Sequence, residues 1–170
     1  MTSNERIQFL KEALQLQNHP EGGFFKEVYR SELELSQAAM GGLCSGKRNA
    51  ATSIYFLITS DSFSSFHKIQ QDEIWHFYEG ATIDLHIISP AGVHRQIKIG
   101  AMPEKGELFQ VTVPGNSWFA AKIEQEDSYA LVGCTVAPGF DFDDFTLGRR
   151  EELTRRFPEH SSLINSLTRS

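Results

Sequence analysis

Cysteine is scarce. Cys44 and Cys134 are the only two in 170 residues. They are far apart, form no CxxC, and make neither a disulfide framework nor a zinc ribbon. Cys134 sits in the apolar run ALVGCTVA and reads as a small core residue. Long hydrophobic runs are absent too. No stretch approaches the roughly 18–20 apolar residues of a membrane helix. The opening segment MTSNERIQFLKEALQLQ lacks the uninterrupted apolar core of about 7–15 residues that a secretory signal needs. The expected setting is therefore the reducing cytoplasm, with no membrane partner. Positive charge is in deficit, with 16 Lys and Arg against 22 Asp and Glu and a net charge of −6. Basic residues occur as the pairs Lys47-Arg48, Arg149-Arg150 and Arg155-Arg156, never as a stripe. Nucleic acid is disfavoured as a partner, since phosphate backbones are held by basic surfaces. No GxSxG, P-loop, HExxH or strand-borne GxGxxG is present, which removes several enzyme classes.

What is there is an ordinary globular balance, 40% hydrophobic and 22% charged, long enough for one domain over residues 1–170. Thr2 and Glu5 have capping-box spacing. Ile7, Leu10 and Leu14 form a helical stripe that ends before Pro20. The period then drops to two. Residues 25–30, 52–58, 74–78, 83–87, 93–99, 108–113, 118–123 and 128–136 read as strands, with a loop over 31–49. Ser89-Pro90-Ala91-Gly92 turns the middle pair into a hairpin. Leu153, then Leu163, Ile164 and Leu167, predict a short helical tail. Many short strands without a βαβ rhythm predict an all-β sandwich or barrel.

The stretch SFSSFHKIQQDEIWHFYEG carries the candidate chemistry. His67 and Glu73 share a face if the strand alternates without interruption, with Trp75 and Phe77 on the same side. An imidazole and a carboxylate beside aromatic walls suit an interior small-molecule site. Tyr29, Tyr55 and Tyr78 are available as further proton carriers. Arg30 suits an anionic ligand or an ion pair with Asp141, Asp143 or Asp144. Trp118 and Phe119 follow the Pro114-Gly115 turn, near a barrel wall. The FDFDD run lacks the spaced oxygens of a cation loop and reads as a cap with salt bridges.

His67, Glu73 and Gly80 have the spacing of the first cupin motif. HPEGGFFKEVYRS, the SFHKIQQDEIWHFYEG region, VPGNSWFAA and CTVAPGFDFDDF together resemble the cupin 5 family along nearly the whole chain. That resemblance implies a cupin jelly roll, a double-stranded β-helix barrel, with an N-terminal helix and a short C-terminal helical tail. It also implies a homodimer. It carries no established reaction.

The chain departs from the cupin metal site at two of four ligand positions. Ile69 and Phe119 stand where histidines are expected, which disfavours a divalent metal cofactor. His76 and His86 are the only substitutes in view. The first functional expectation is a small-molecule-binding cavity in which His67 and Glu73 transfer protons, isomerase- or epimerase-like, on a sugar-like ring. Tyr29, Arg30, Tyr55, Trp75, Phe77, Trp118 and Phe119 are then the expected ligand contacts. The alternatives are a metal-dependent enzyme, such as a dioxygenase, with a rearranged ligand set, and a binding module without chemistry.

Overall fold

The structure, a computed structural model, describes residues 1–169. Helix α1 spans Ser3–Ala13 and starts in the expected capping box, with Thr2 and Glu5 bonding each other's backbone. Thirteen strands follow: β1 Gln17–Asn18, β2 Phe24–Arg30, β3 Glu34–Leu35, β4 Arg48–Asn49, β5 Thr52–Thr59, β6 Ser64–Lys68, β7 Asp72–Gly80, β8 Ile83–Ile88, β9 His94–Ile99, β10 Gln110–Val113, β11 Trp118–Lys122, β12 Tyr129–Ala137 and β13 Thr146–Leu147. Helices α2 (Arg150–Arg156) and α3 (Ser161–Ser166) close the chain.

Two antiparallel sheets make the barrel walls. One runs β1-β2-β5-β12-β7-β10 and the other β13-β6-β11-β8-β9. The expected all-β jelly roll with terminal helices is what forms. The loop over 31–49 contains one element that patterning missed, the small β3–β4 hairpin. Its two residues per strand are too short to show a period.

Alternation sets the core. Phe56 and Ile58 of β5, Trp75 of β7, Leu85 and Ile87 of β8 and Val132 of β12 meet between the sheets. The outer face of the second sheet is covered by the tail, where Ile88 and Trp118 pack on Leu153, Phe157, Ile164 and Leu167. The outer face of the first sheet is partly covered by α1, through Leu10 against Leu57 and Leu131.

One β-bulge decides what enters the barrel. The β2–β5 register slips between Glu27 and Tyr29, so Glu27 pairs with Ile54, Tyr29 with Ser53 and Arg30 with Thr52. Uninterrupted alternation would place residues 27 and 29 inside. The extra residue, Val28, turns Tyr29 outward and puts Glu27 and Arg30 on the same interior face.

Candidate functional site

A cavity of about 230 Å³ opens between the sheets at one end of the barrel. The turn between β1 and β2 delivers His19 and Glu21 to it, β6 delivers His67, β7 delivers Glu73, and β2 delivers Arg30.

His67 is buried, and both of its ring nitrogens face acceptors. Nδ1 donates to the Ser65 carbonyl at 2.7 Å, and Nε2 lies 2.9 Å from the Glu21 carboxylate. A ring that donates from both nitrogens is an imidazolium. Burial alone would lower its pKa; the charge and hydrogen bond of Glu21, with help from Glu73, raise it above the ordinary histidine value instead. Burial likewise pushes Glu21 up, but His67 and the Ser64 hydroxyl, 2.7 Å away, outweigh it and leave Glu21 below the usual carboxylate range. His19 differs. Its Nδ1 accepts the Glu21 backbone N–H at 3.3 Å, and burial lowers its pKa, so this ring is neutral.

Glu73 is buried on the cavity wall, and its carboxylate closes no hydrogen bond among the described residues. Burial pushes its pKa up to about 7; the His67 imidazolium pulls the other way, and the Glu21 charge adds to the rise. The Cys134 thiol and the Trp75 indole lie near enough to favour the charged form, yet the indole N–H remains without a partner.

The paired site expected from alternation is therefore rearranged. His67 and Glu73 lie on β6 and β7, in opposite sheets, with a turn between them. The hydrogen-bond partner of His67 is Glu21. Of the seven expected ligand contacts, only Arg30 lines the cavity. It grips Glu27 with two hydrogen bonds of 2.9 and 2.8 Å, and also Asn49 and the Phe140 carbonyl, not the side chains of Asp141, Asp143 or Asp144. Tyr29 is exposed because of the bulge. Tyr55 and Tyr78 contact each other edge to face, and Tyr55 packs with the helix-covered outer cluster. Trp75 and Phe77 belong to the central core, and Trp118 lies behind the second sheet. Phe119 is core as well, with its ring 4.1 Å from that of His67.

Two segments supply what patterning missed. HPEGG, read as a corner, carries Glu21. The FDFDD segment, read as a cap, does cap a short turn through Asp141, but its phenylalanines also cover the cavity. Phe140, Phe142 and Phe145 stack edge to face with centroids 5.0–6.3 Å apart, and Phe145 reaches within 5.5 Å of the His67 ring. The repeat of Phe every two or three residues was the available signal.

The side chains present do not fit a cupin metal. Ile69 and Phe119 offer no donor, His67 has no free lone pair, and no group of three or more His, Cys, Asp or Glu among the described residues is arranged to hold an ion. His76 instead meets Thr135 at 3.3 Å, and His86 meets His94 at 3.1 Å.

The turn that places Glu21 depends on glycine. Gly22 has φ +112°, and a Cβ there would collide with the Phe63 carbonyl oxygen. Gly22→Ala is expected to destabilise the fold by about 1–3 kcal/mol and to shift the His67 ring resonances in an NMR spectrum, since the Glu21 turn must move.

Two antiparallel sheets closed on a polar, aromatic-lined cavity define a cupin barrel. The sequence profile of the Cupin_5 family, "Cupin superfamily (DUF985)", matches residues 8–148, and the chain belongs to that family. It is 35% identical over 147 residues to the uncharacterised yeast protein YML079W of Saccharomyces cerevisiae, covering 81% of this chain and 73% of that protein. The crystal structure of SO0799 from Shewanella oneidensis is similar at 34% identity and a TM-score of 0.85, over 99% of this chain and 98% of that one. A hypothetical protein from Leishmania major is similar at 35% identity and a TM-score of 0.88, over 96% and 98%.

Proposed function

We propose that this protein binds a small molecule in the barrel cavity and moves a proton on it, with Glu73 as the acid and base. One observation carries this reading. Glu73 is a buried, cavity-facing carboxyl without a hydrogen-bond partner among the described residues, and its pKa is about 7. A group with that pKa is populated in both forms near neutrality, as proton transfer requires. His67 has no free nitrogen with which to act as a base, so its part is different. Its fixed positive charge, held by Glu21, favours negative charge developing on the ligand.

In an isomerase-like step, the Glu73 carboxylate takes a proton from a carbon next to a carbonyl. The electron pair moves to the carbonyl oxygen, and the Glu73 carboxyl later returns the proton. The cavity volume sets the scale. A cavity of about 150 Å³ takes benzene, so this one takes on the order of nine non-hydrogen atoms.

The test is solvent exchange. A panel of small ketones, aldoses and amino sugars is incubated with the protein in D₂O, and loss of carbon-bound protons is followed by NMR. At least one compound is expected to exchange, and Glu73→Gln to slow it about 100-fold or more. Equal exchange by Glu73→Gln, or exchange of none, overturns the proposal. Binding without exchange would leave a binding module.

A further inference from the structure

The cavity wall carries more negative than positive groups, and the positive ones are already matched. Four carboxylates line it: Glu21, Glu27, Glu73 and Asp141. Two cations face them. Arg30 is engaged by Glu27 through both carboxylate oxygens, and His67 is engaged by Glu21. His19 is neutral, and no lysine lines the cavity among the described residues. Glu73 and Asp141 are left without an ion pair. Asp141 spends one oxygen on the Asp143 backbone N–H, while Glu73 spends none.

The remaining wall is part aliphatic, through Ile54, Ile69 and Val136, and part aromatic. Phe25 and Phe56 flank the His19 ring, with centroids 4.7 and 5.9 Å from it. Phe142 and Phe145 lie 6.1 and 6.0 Å from the same ring, and Phe140 packs on both. Phenyl faces attract cations, and the attraction grows when water is excluded. A carboxylate or phosphate ligand, by contrast, finds no free cation and meets two unmatched carboxylates.

We infer that the ligand is a cation, a small organic amine with amino sugars included, whose ammonium group sits against Glu73 beneath the phenylalanine rings. This rests on the reading that the cavity binds a small molecule, and it adds the charge class of that molecule. The ammonium supplies the hydrogen-bond donor that Glu73 lacks.

The probes are benzylamine, benzyl alcohol and benzoate, which share a ring and a size suited to the cavity and differ in charge. Binding is measured by calorimetry or ligand-observed NMR at pH 8. Benzylamine is expected to bind at least tenfold more tightly than benzyl alcohol, and benzoate most weakly. Glu73→Gln should remove that tenfold advantage of benzylamine over benzyl alcohol. Benzylamine stays protonated between pH 6 and 8, so its affinity should rise across that range as Glu73 ionises. The titratable and charged groups facing Glu73 are His67, Glu21 and Cys134. The His67–Glu21 pair is the same in the wild type and in Glu73→Gln, and burial holds the Cys134 thiol well above its ordinary value, so the part of the rise that Glu73 supplies should be lost in Glu73→Gln.

Tighter binding of benzoate or benzyl alcohol overturns the inference. So does failure of all three to bind, or a pH dependence that Glu73→Gln leaves undiminished. Binding is read without turnover, so the two proposals fail separately. Benzylamine binding with no proton exchange in the wider panel sinks the chemistry alone; proton exchange with benzoate preferred sinks the charge assignment alone.

Discussion

Glu21→Ala leaves His67 a neutral imidazole at pH 7 and destabilises the fold by about 3 kcal/mol. Removing one member of a buried ion pair strands the other charge, a loss of about 3–5 kcal/mol. His67 escapes part of that by giving up its proton, which places the expected effect at the low end. Urea denaturation measures the stability, and the ¹⁵N shifts of the His67 ring report its protonation. In the wild-type protein both nitrogens are protonated, Nδ1 against the Ser65 carbonyl and Nε2 against Glu21. In the variant only Nδ1 keeps its proton, since the carbonyl still accepts from it. A wild-type ring that is neutral at pH 7 would contradict this account of the site.

The sign of the pH effect follows from the same pair. The pKa of His67 is raised in the folded protein, so its contribution is fully present below the unfolded value near 6.5 and fades as pH rises through the folded one. The pKa of Glu21 is lowered, so its contribution holds above the unfolded value near 4.3 and fades as pH falls through the folded one. The pair thus stabilises most between about pH 4.3 and 6.5. Glu73 works in the opposite sense. Its pKa of about 7 lies above the unfolded value near 4.3, so stability falls as pH rises from that value toward 7 and levels off above it. A loss of stability between about pH 4.3 and 7, absent in Glu73→Gln, is the corresponding signature.

The barrel was legible because its strands obey period two. Ile83, Leu85 and Ile87 alternate with polar residues, and they lie in the core of the observed β8–β9 hairpin. The site was legible only as a neighbourhood, because two features break the rule that reads it. The Val28 bulge reverses parity within β2, so Tyr29 leaves and Arg30 enters. The turn after Lys68 ends one strand and starts another in the facing sheet, so the spacing of His67 and Glu73 never measured a shared face. The Glu21–His67 bond joins segments distant along the chain, and local pattern carries no trace of such a pairing. Trp118 shows a further limit. Burial was foreseeable, but which side of the sheet a buried residue faces depends on the C-terminal helices that cover it.

Asp144→Ala is expected to destabilise the protein by about 3–5 kcal/mol and to weaken ligand binding in the same variant. Asp144 is buried between two donors. Arg48 meets it with two hydrogen bonds of 2.7 and 2.8 Å, and the Gln71 amide adds a third at 2.7 Å. Burial raises the pKa of Asp144, but these donors more than compensate and hold it below the usual aspartate range. Its contribution is therefore present above the unfolded value near 3.9 and is lost as pH falls through the folded one. Arg48 cannot shed its charge as His67 can, so the full cost of a stranded buried cation applies. The functional consequence comes from position. Asp144 lies between Phe142 and Phe145, and Gln71 also reaches the Gly139 carbonyl, so one cluster pins the aromatic cover at both ends. Freed from it, Phe140, Phe142 and Phe145 must lose conformational entropy on binding that the wild-type fold has already lost. Asp144→Asn separates the two effects. It keeps hydrogen-bonding capacity but leaves Arg48 without its counter-ion, so it should lose stability while holding benzylamine more tightly than Asp144→Ala does. Equal affinity for benzylamine in the wild type and both variants would show that the Phe140–Phe145 segment takes no part in the site.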